Sequence, residues 1–85
     1  MVALTQSLAK EVARLGITVN AICPGYIHTD ALEGANAEER ERLSERIPMR
    51  RLGRPEEVAA AVRFLACAEA GYITGSAIKI DGGIL

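Results

Sequence analysis

In the stretch VNAICPGYIHTD, Val19 to Asp30, a thiol, a phenol, an imidazole, a hydroxyl and a carboxylate stand close together. Cys23 and His28 are a nucleophile and a base by type. However, Cys23 directly precedes Pro24, and no third group is placed to orient the pair. Cys23, His28, Asp30 and Cys67 are metal-ligating types without metal-ligand spacing, so no metal site is expected. Ser7, Ser44 and Ser76 lie in no GxSxG elbow, which argues against a hydrolase triad. What remains is recognition: an apolar stretch stops at Pro24-Gly25 and gives way to polar and aromatic groups. Pro24 removes a ladder donor, and Gly25 lets another backbone or a ligand approach closely. An ordinary turn with no ligand satisfies the same pattern and stands as the alternative. On that alternative His28 is a solvated loop histidine, and Asn20 is a structural hydrogen-bonding residue.

The elements around this loop follow from periodicity. Met1, Leu4, Leu8, Val12 and Leu15 recur at steps of three and four, which predicts a helix with one apolar stripe, stopped by Gly16. ITVNAI, Ile17 to Ile22, is β-branched and too short for a helix, so it is expected to be a buried strand. Ala37 to Arg46 is a charged helix in which only Leu43 and Ile47 have apolar bulk to bury. Pro55 opens a further helix, with Glu56 and Glu57 at its positive end and a stripe of Val58, Ala61, Val62 and Leu65. A strand from about Ser76 to Ile80 ends in Gly82-Gly83. The order strand, excursion, helix, strand is a βαβ unit, for which parallel pairing and a right-handed crossover are the default. The excursion before Pro55 runs roughly thirty residues, a length typical of lids and binding loops. Ligands in open α/β sheets bind outside the carboxyl ends of the strands, and Pro24-Gly25 sits at such an end.

Bulk properties narrow the classes. At 85 residues the chain is at most one small domain, and 49% apolar content argues against disorder. A net charge of −1 without a basic block argues against nucleic acid as partner. No apolar run reaches membrane-spanning length, and the first residues lack a signal peptide's apolar core. Cys23 and Cys67 are expected to be free cytosolic thiols, which places the chain in the cytoplasm.

GITVNAICPGYIHTD resembles the VNxxxPGxxxT segment of the short-chain dehydrogenase/reductase family. RLGRPEEVAAAVRFLA resembles the family's following helix, and YITGSAIKIDGG its last strand and exit. LTQSLAKEVARLG resembles the helix that carries the catalytic lysine toward the dimer interface. Within the family the likeness is greatest to 3-oxoacyl-carrier-protein reductases and related sugar or alcohol dehydrogenases. The resemblance implies an α/β fold, the C-terminal portion of a Rossmann-type doubly wound parallel sheet, with residues 1–85 forming part of one NAD(P)-binding domain and a substrate lid at about 32–47. It implies NAD or NADP as cofactor, held by Pro24, Gly25, the backbone of Ile27 and the hydroxyl of Thr29. It places Tyr26 and His28 beside the substrate, a small carbonyl compound or alcohol. It further implies a homo-oligomer formed through the first helix and last strand.

The family's Tyr-x-x-x-Lys is not matched: Tyr26 is followed four residues on by Asp30, and Tyr72 by Ser76. The family's catalytic Ser and Gly-rich phosphate loop are also unmatched. The expectation is a C-terminal part of an oxidoreductase with no catalytic residue of its own, inactive alone. The alternative is a non-catalytic α/β association module or truncated subunit.

Overall fold

A computed structural model describes residues 1–29 and 37–85. Residues 30–36, which include Asp30 and the start of the expected lid, lie outside the described residues. The elements run α1 (Val2–Val12), β1 (Ala21–Pro24), α2 (Ala37–Glu45), α3 (Pro55–Ala66) and β2 (Ala77–Ile80). Short 3₁₀ turns follow α1 at Ala13–Leu15 and α3 at Ala68–Ala70.

β1 and β2 pair in parallel, with Ala21 opposite Ala77 and Pro24 opposite Ile80. The mixture of helices with a parallel strand pair is the α/β class expected from the sequence. The pair starts later than ITVNAI predicts. Gly75 takes φ +74 and breaks regular pairing just before β2. Side chains complete the join there: Val19 N–H donates to Thr74 Oγ1 (3.0 Å), and the Asn20 amide donates to Ile73 C=O and accepts from Ser76 N–H, each at 3.1 Å. Asn20 therefore replaces a ladder rung, in keeping with its expected structural role. At the other end β1 extends through Pro24, because Pro24 lacks only the donor and Gly25 N–H carries the pairing on to Ile80 C=O at 3.0 Å.

α1 ends as its periodicity predicts. Gly16, at φ +77, donates its N–H to Ala13 C=O at 3.0 Å and closes the last turn. Its covered side is another matter. The residues it buries are Thr5 and Ala9, and a Cβ on Gly75 would lie 3.6 Å from the Ala9 methyl. Small side chains allow that close approach. The aliphatic stripe faces outward: Met1 is 88% exposed, Leu4 67% and Leu15 67%. The radius of gyration, 15.6 Å, exceeds the about 12 Å of a compact chain of this length.

Ile47, just beyond α2, is buried at 2% exposure against the β2 exit, where a Cβ on Gly82 would lie 2.6 Å from its Cγ2. Met49 N–H donates to Gly82 C=O at 3.1 Å. α3 begins at Pro55 as predicted, but Val62 is half exposed rather than covered. A two-stranded sheet is too narrow to cover the whole stripe, and Val58, Ala61 and Leu65 take the partly buried positions. No helix among the described residues is long and apolar enough to cross a membrane.

Candidate functional site

The loop leaving β1 is held from two sides. On one side, Gly25 packs against the residue after β2: a Cβ there would lie 2.7 Å from Asp81 Cβ and 3.0 Å from Asp81 Cα. Only glycine fits, because the opposing atoms belong to or adjoin the backbone and cannot swing away. On the other side, Ile27 forms a single parallel bridge with Gly53. His28 N–H donates to Gly53 C=O at 2.8 Å, and Gly53 N–H donates to Tyr26 C=O at 2.9 Å.

This bridge settles how Ile27 is presented. In an extended chain the groups of neighbouring residues alternate in direction, so bonds from Tyr26 and His28 toward Gly53 turn the N–H and C=O of Ile27 the other way. Among the described residues neither group of Ile27 has a hydrogen-bond partner. The loop thus offers one backbone donor and one acceptor on one residue, the complement of a primary amide. The Thr29 side chain is exposed beside them and makes no hydrogen bond among the described residues.

Gly53 is anchored in turn. Arg51 donates twice to the Glu57 carboxylate, at 2.7 and 2.9 Å, and the same carboxylate accepts from the backbone N–H of Arg54 at 3.0 Å. Glu57 occupies the third position of α3, where a carboxylate can reach back to the residue before the helix. Hydrogen bonding from Arg51, then from the Arg54 N–H, holds the Glu57 carboxyl at about 2, well below the usual carboxylate range. The Arg51 guanidinium is raised by the same contact.

A cleft of about 340 Å³ lies at the carboxyl ends of both strands, with Tyr26, Met49, Gly53, Asp81 and Gly82 among its walls. Asp81 Oδ1 accepts from Gly83 N–H at 2.9 Å, while its Oδ2 is buried without a partner among the described residues. Pro24, Gly25, Ile27 and Thr29 are not walls of this cleft. His28 lines a separate, smaller hollow, so the two residues expected at the substrate, Tyr26 and His28, face different spaces. Cys23 and Cys67 are unpaired thiols, and no group of three metal-ligating side chains gathers among the described residues. Gly53 and Asp81 escaped the sequence reading, since nothing local marks a glycine as the partner of a distant loop. Glu57 was legible as a helix-start carboxylate, but not as the clamp behind that partner.

Comparison with known proteins places this geometry. A family model described as enoyl-(acyl carrier protein) reductase matches residues 1–85. The chain is 47% identical over 85 residues to the 3-oxoacyl-[acyl-carrier-protein] reductase FabG of Rickettsia felis, covering 100% of this chain and 35% of that protein. The chain belongs to the short-chain dehydrogenase/reductase family. Nodulation protein G of Azospirillum brasilense is 46% identical over 84 residues, covering 99% of this chain and 34% of its own length. Among solved structures, YwfH, an NADPH-dependent reductase involved in bacilysin biosynthesis, superposes with a TM-score of 0.90 at 38% identity, over 99% of this chain and 36% of its own. The chain spans about a third of the length of these short-chain dehydrogenase/reductase relatives. NAD(P) use, expected from the resemblance, accords with the NADPH dependence of that solved relative.

Proposed function

We propose that this chain forms the nicotinamide-side wall and substrate lid of an NAD(P)-dependent oxidoreductase that reduces a carbonyl or oxidises an alcohol. The observation that carries the reading is the backbone donor and acceptor of Ile27, held outward by the Gly53 bridge and without a partner among the described residues. A nicotinamide carboxamide needs that pair, and Thr29 adds a hydroxyl beside it. Gly25 carries the ladder one bond past Pro24 and brings the loop against the strand exit without a side chain in the way. The bound cofactor supplies a hydride donor or acceptor, and the chain's own part is to orient it and to shield it from water. Tyr26 borders the substrate from the larger cleft, and His28 stands beside the loop; of the expected lid at about 32–47, the described part is 37–47. The proton-transfer residues of the family, Ser, Tyr and Lys, have no match among these 85 residues, so turnover requires them from elsewhere. The reading also expects a cytoplasmic protein.

The match to FabG over the whole of this chain supplies a direct test. Replacing the corresponding segment of the Rickettsia felis reductase with residues 1–85 should give an enzyme that binds NAD(P) and turns over a 3-oxoacyl thioester. The isolated chain should show no turnover above a heat-killed control. Loss of cofactor binding in a folded chimera would overturn the assignment.

The second reading, an association module without catalysis, draws on the outward stripe of Met1, Leu4, Leu8 and Leu15. Self-association through α1 and β2 fits both readings. A folded chimera that binds cofactor separates them.

A further inference from the structure

We propose that the hollow walled by His28, Arg40, Ser44, Arg50 and Arg54 is a binding site for a small phosphate-bearing anion. The proposal does not depend on the cofactor assignment.

The first ground is charge. The chain carries 10 basic and 11 acidic residues, a net charge of −1. Yet Arg40, Arg50, Arg51 and Arg54 gather around this one hollow of about 230 Å³, and no carboxylate of the described residues is among its walls. Arg51 is balanced by Glu57, which Arg54 approaches only at 3.6 Å. Arg50 bonds a neutral group, the Glu45 carbonyl, at 2.7 Å. Neither Arg40 nor Arg50 has a carboxylate within ion-pair distance among the described residues. Converging guanidiniums repel one another, and an oxyanion among them relieves that repulsion.

The second ground is backbone. Arg50 has φ +60 and is the one non-glycine residue in the left-handed region among the described residues. A turn needing this conformation is ordinarily given to glycine, and strained residues of this kind concentrate at ligand clamps. Here the strained position is occupied by one of the guanidiniums that wall the hollow. The third ground is His28. Its Nε2 is shielded from solvent without a hydrogen-bond partner among the described residues, while its backbone N–H is tied to Gly53. An anion in the hollow therefore lies beside the loop that presents Ile27.

The ligand chemistry follows from the donors. Planar guanidinium forks match the oxygens of phosphate, which several can share at once. The start of α3, next to Arg54, adds the positive end of a helix dipole.

The test titrates the ¹⁵N-labelled chain with inorganic phosphate, with methyl phosphate and, at matched ionic strength, with chloride. Saturable shifts at the His28, Arg40 and Gly53 amides are expected with the phosphates and not with chloride. The tighter of the two phosphates tells whether the free ion or an ester is the natural form. Arg40→Gln should weaken binding about tenfold or more. Arg50→Gly is the sharper variant. It relieves the backbone and removes the guanidinium, so Tm without phosphate should rise while the phosphate-dependent rise in Tm shrinks. Equal shifts with chloride, no saturable shift, or unchanged affinity in both variants would overturn the proposal. So would phosphate binding that arises only after Asp30→Asn and Glu33→Gln, since the chain's own carboxylates would then be the occupants.

Discussion

Ile27 and Gly53 meet in a single parallel bridge, fastened by His28 N–H to Gly53 C=O at 2.8 Å and Gly53 N–H to Tyr26 C=O at 2.9 Å. Far apart in sequence, they form one unit in the fold: a loop whose outward amide edge is aimed by a partner that is itself clamped to the start of α3.

That clamp should respond to acid in a defined window. Glu57 has a folded-state value of about 2 against an ordinary 4.5. A depressed carboxyl stabilises the fold above its unfolded value, and the contribution is lost as pH falls from about 4.5 through about 2. The Gly53 and His28 amides should stay protected from hydrogen exchange at pH near 5 and lose protection on acidification through that window. Glu57→Gln should show the faster exchange already at neutral pH, with no further step in acid. Identical pH profiles for both chains would refute the clamp.

Gly25→Ala should destabilise the chain. The new methyl would lie 2.7 Å from Asp81 Cβ and 3.0 Å from Asp81 Cα, where the strand exit cannot yield. Overpacking of this kind costs about 1–3 kcal/mol, read as a lower urea midpoint at unchanged slope. An unshifted midpoint would mean that the loop moves freely off the strand end.

Ile47→Ala removes the one large side chain among the described residues that is almost fully buried and leaves a void against Gly82. The expected loss is about 2–5 kcal/mol, comparable to the whole stability of a small domain. Circular dichroism should show a much lower Tm or no cooperative melt. A small change would show that the β2 exit does not need this anchor.

Thr29→Val in the FabG chimera tests the proposed cofactor contact. Loss of one hydroxyl should cost about 1 kcal/mol in cofactor binding, rising to about 3 if a buried partner is left unpaired. Thermal stability should be nearly unchanged, because Thr29 is exposed and makes no hydrogen bond within the described chain. Equal dissociation constants for NADPH would remove Thr29 from the site.

The isolated chain should self-associate. Met1, Leu4, Leu8 and Leu15 lie open on α1 and its two ends, and burying such side chains is worth about 1.5–3 kcal/mol each. Sedimentation velocity should show a concentration-dependent species larger than 9.1 kDa, and Leu4→Lys with Leu8→Lys should shift it toward monomer. A monodisperse wild-type monomer would show that the stripe tolerates water.

What the residues determined by themselves is local. The three- and four-residue spacing of Met1, Leu4, Leu8, Val12 and Leu15 suffices for α1, Gly16 for the stop after it, and Pro55 with Glu57 for the start of α3, because helices and caps form from neighbours in the chain. The apolar strands and the Pro24-Gly25 break located the parallel pair and its carboxyl end, and the motif around Thr29 carried the resemblance on which the proposed cofactor contact rests. Only the tertiary structure decided which partners meet. It chose Gly53 for Ile27 and Asp81 for Gly25. It began β1 at Ala21, because the turn at Gly75 left Asn20 to bond through its side chain. It covered α1 over Thr5 and Ala9 rather than over its leucines. Periodicity shows that a helix has an apolar face, but not whether anything of the right shape lies opposite. Close approach favours small side chains, and on α1 they lie away from the leucine stripe.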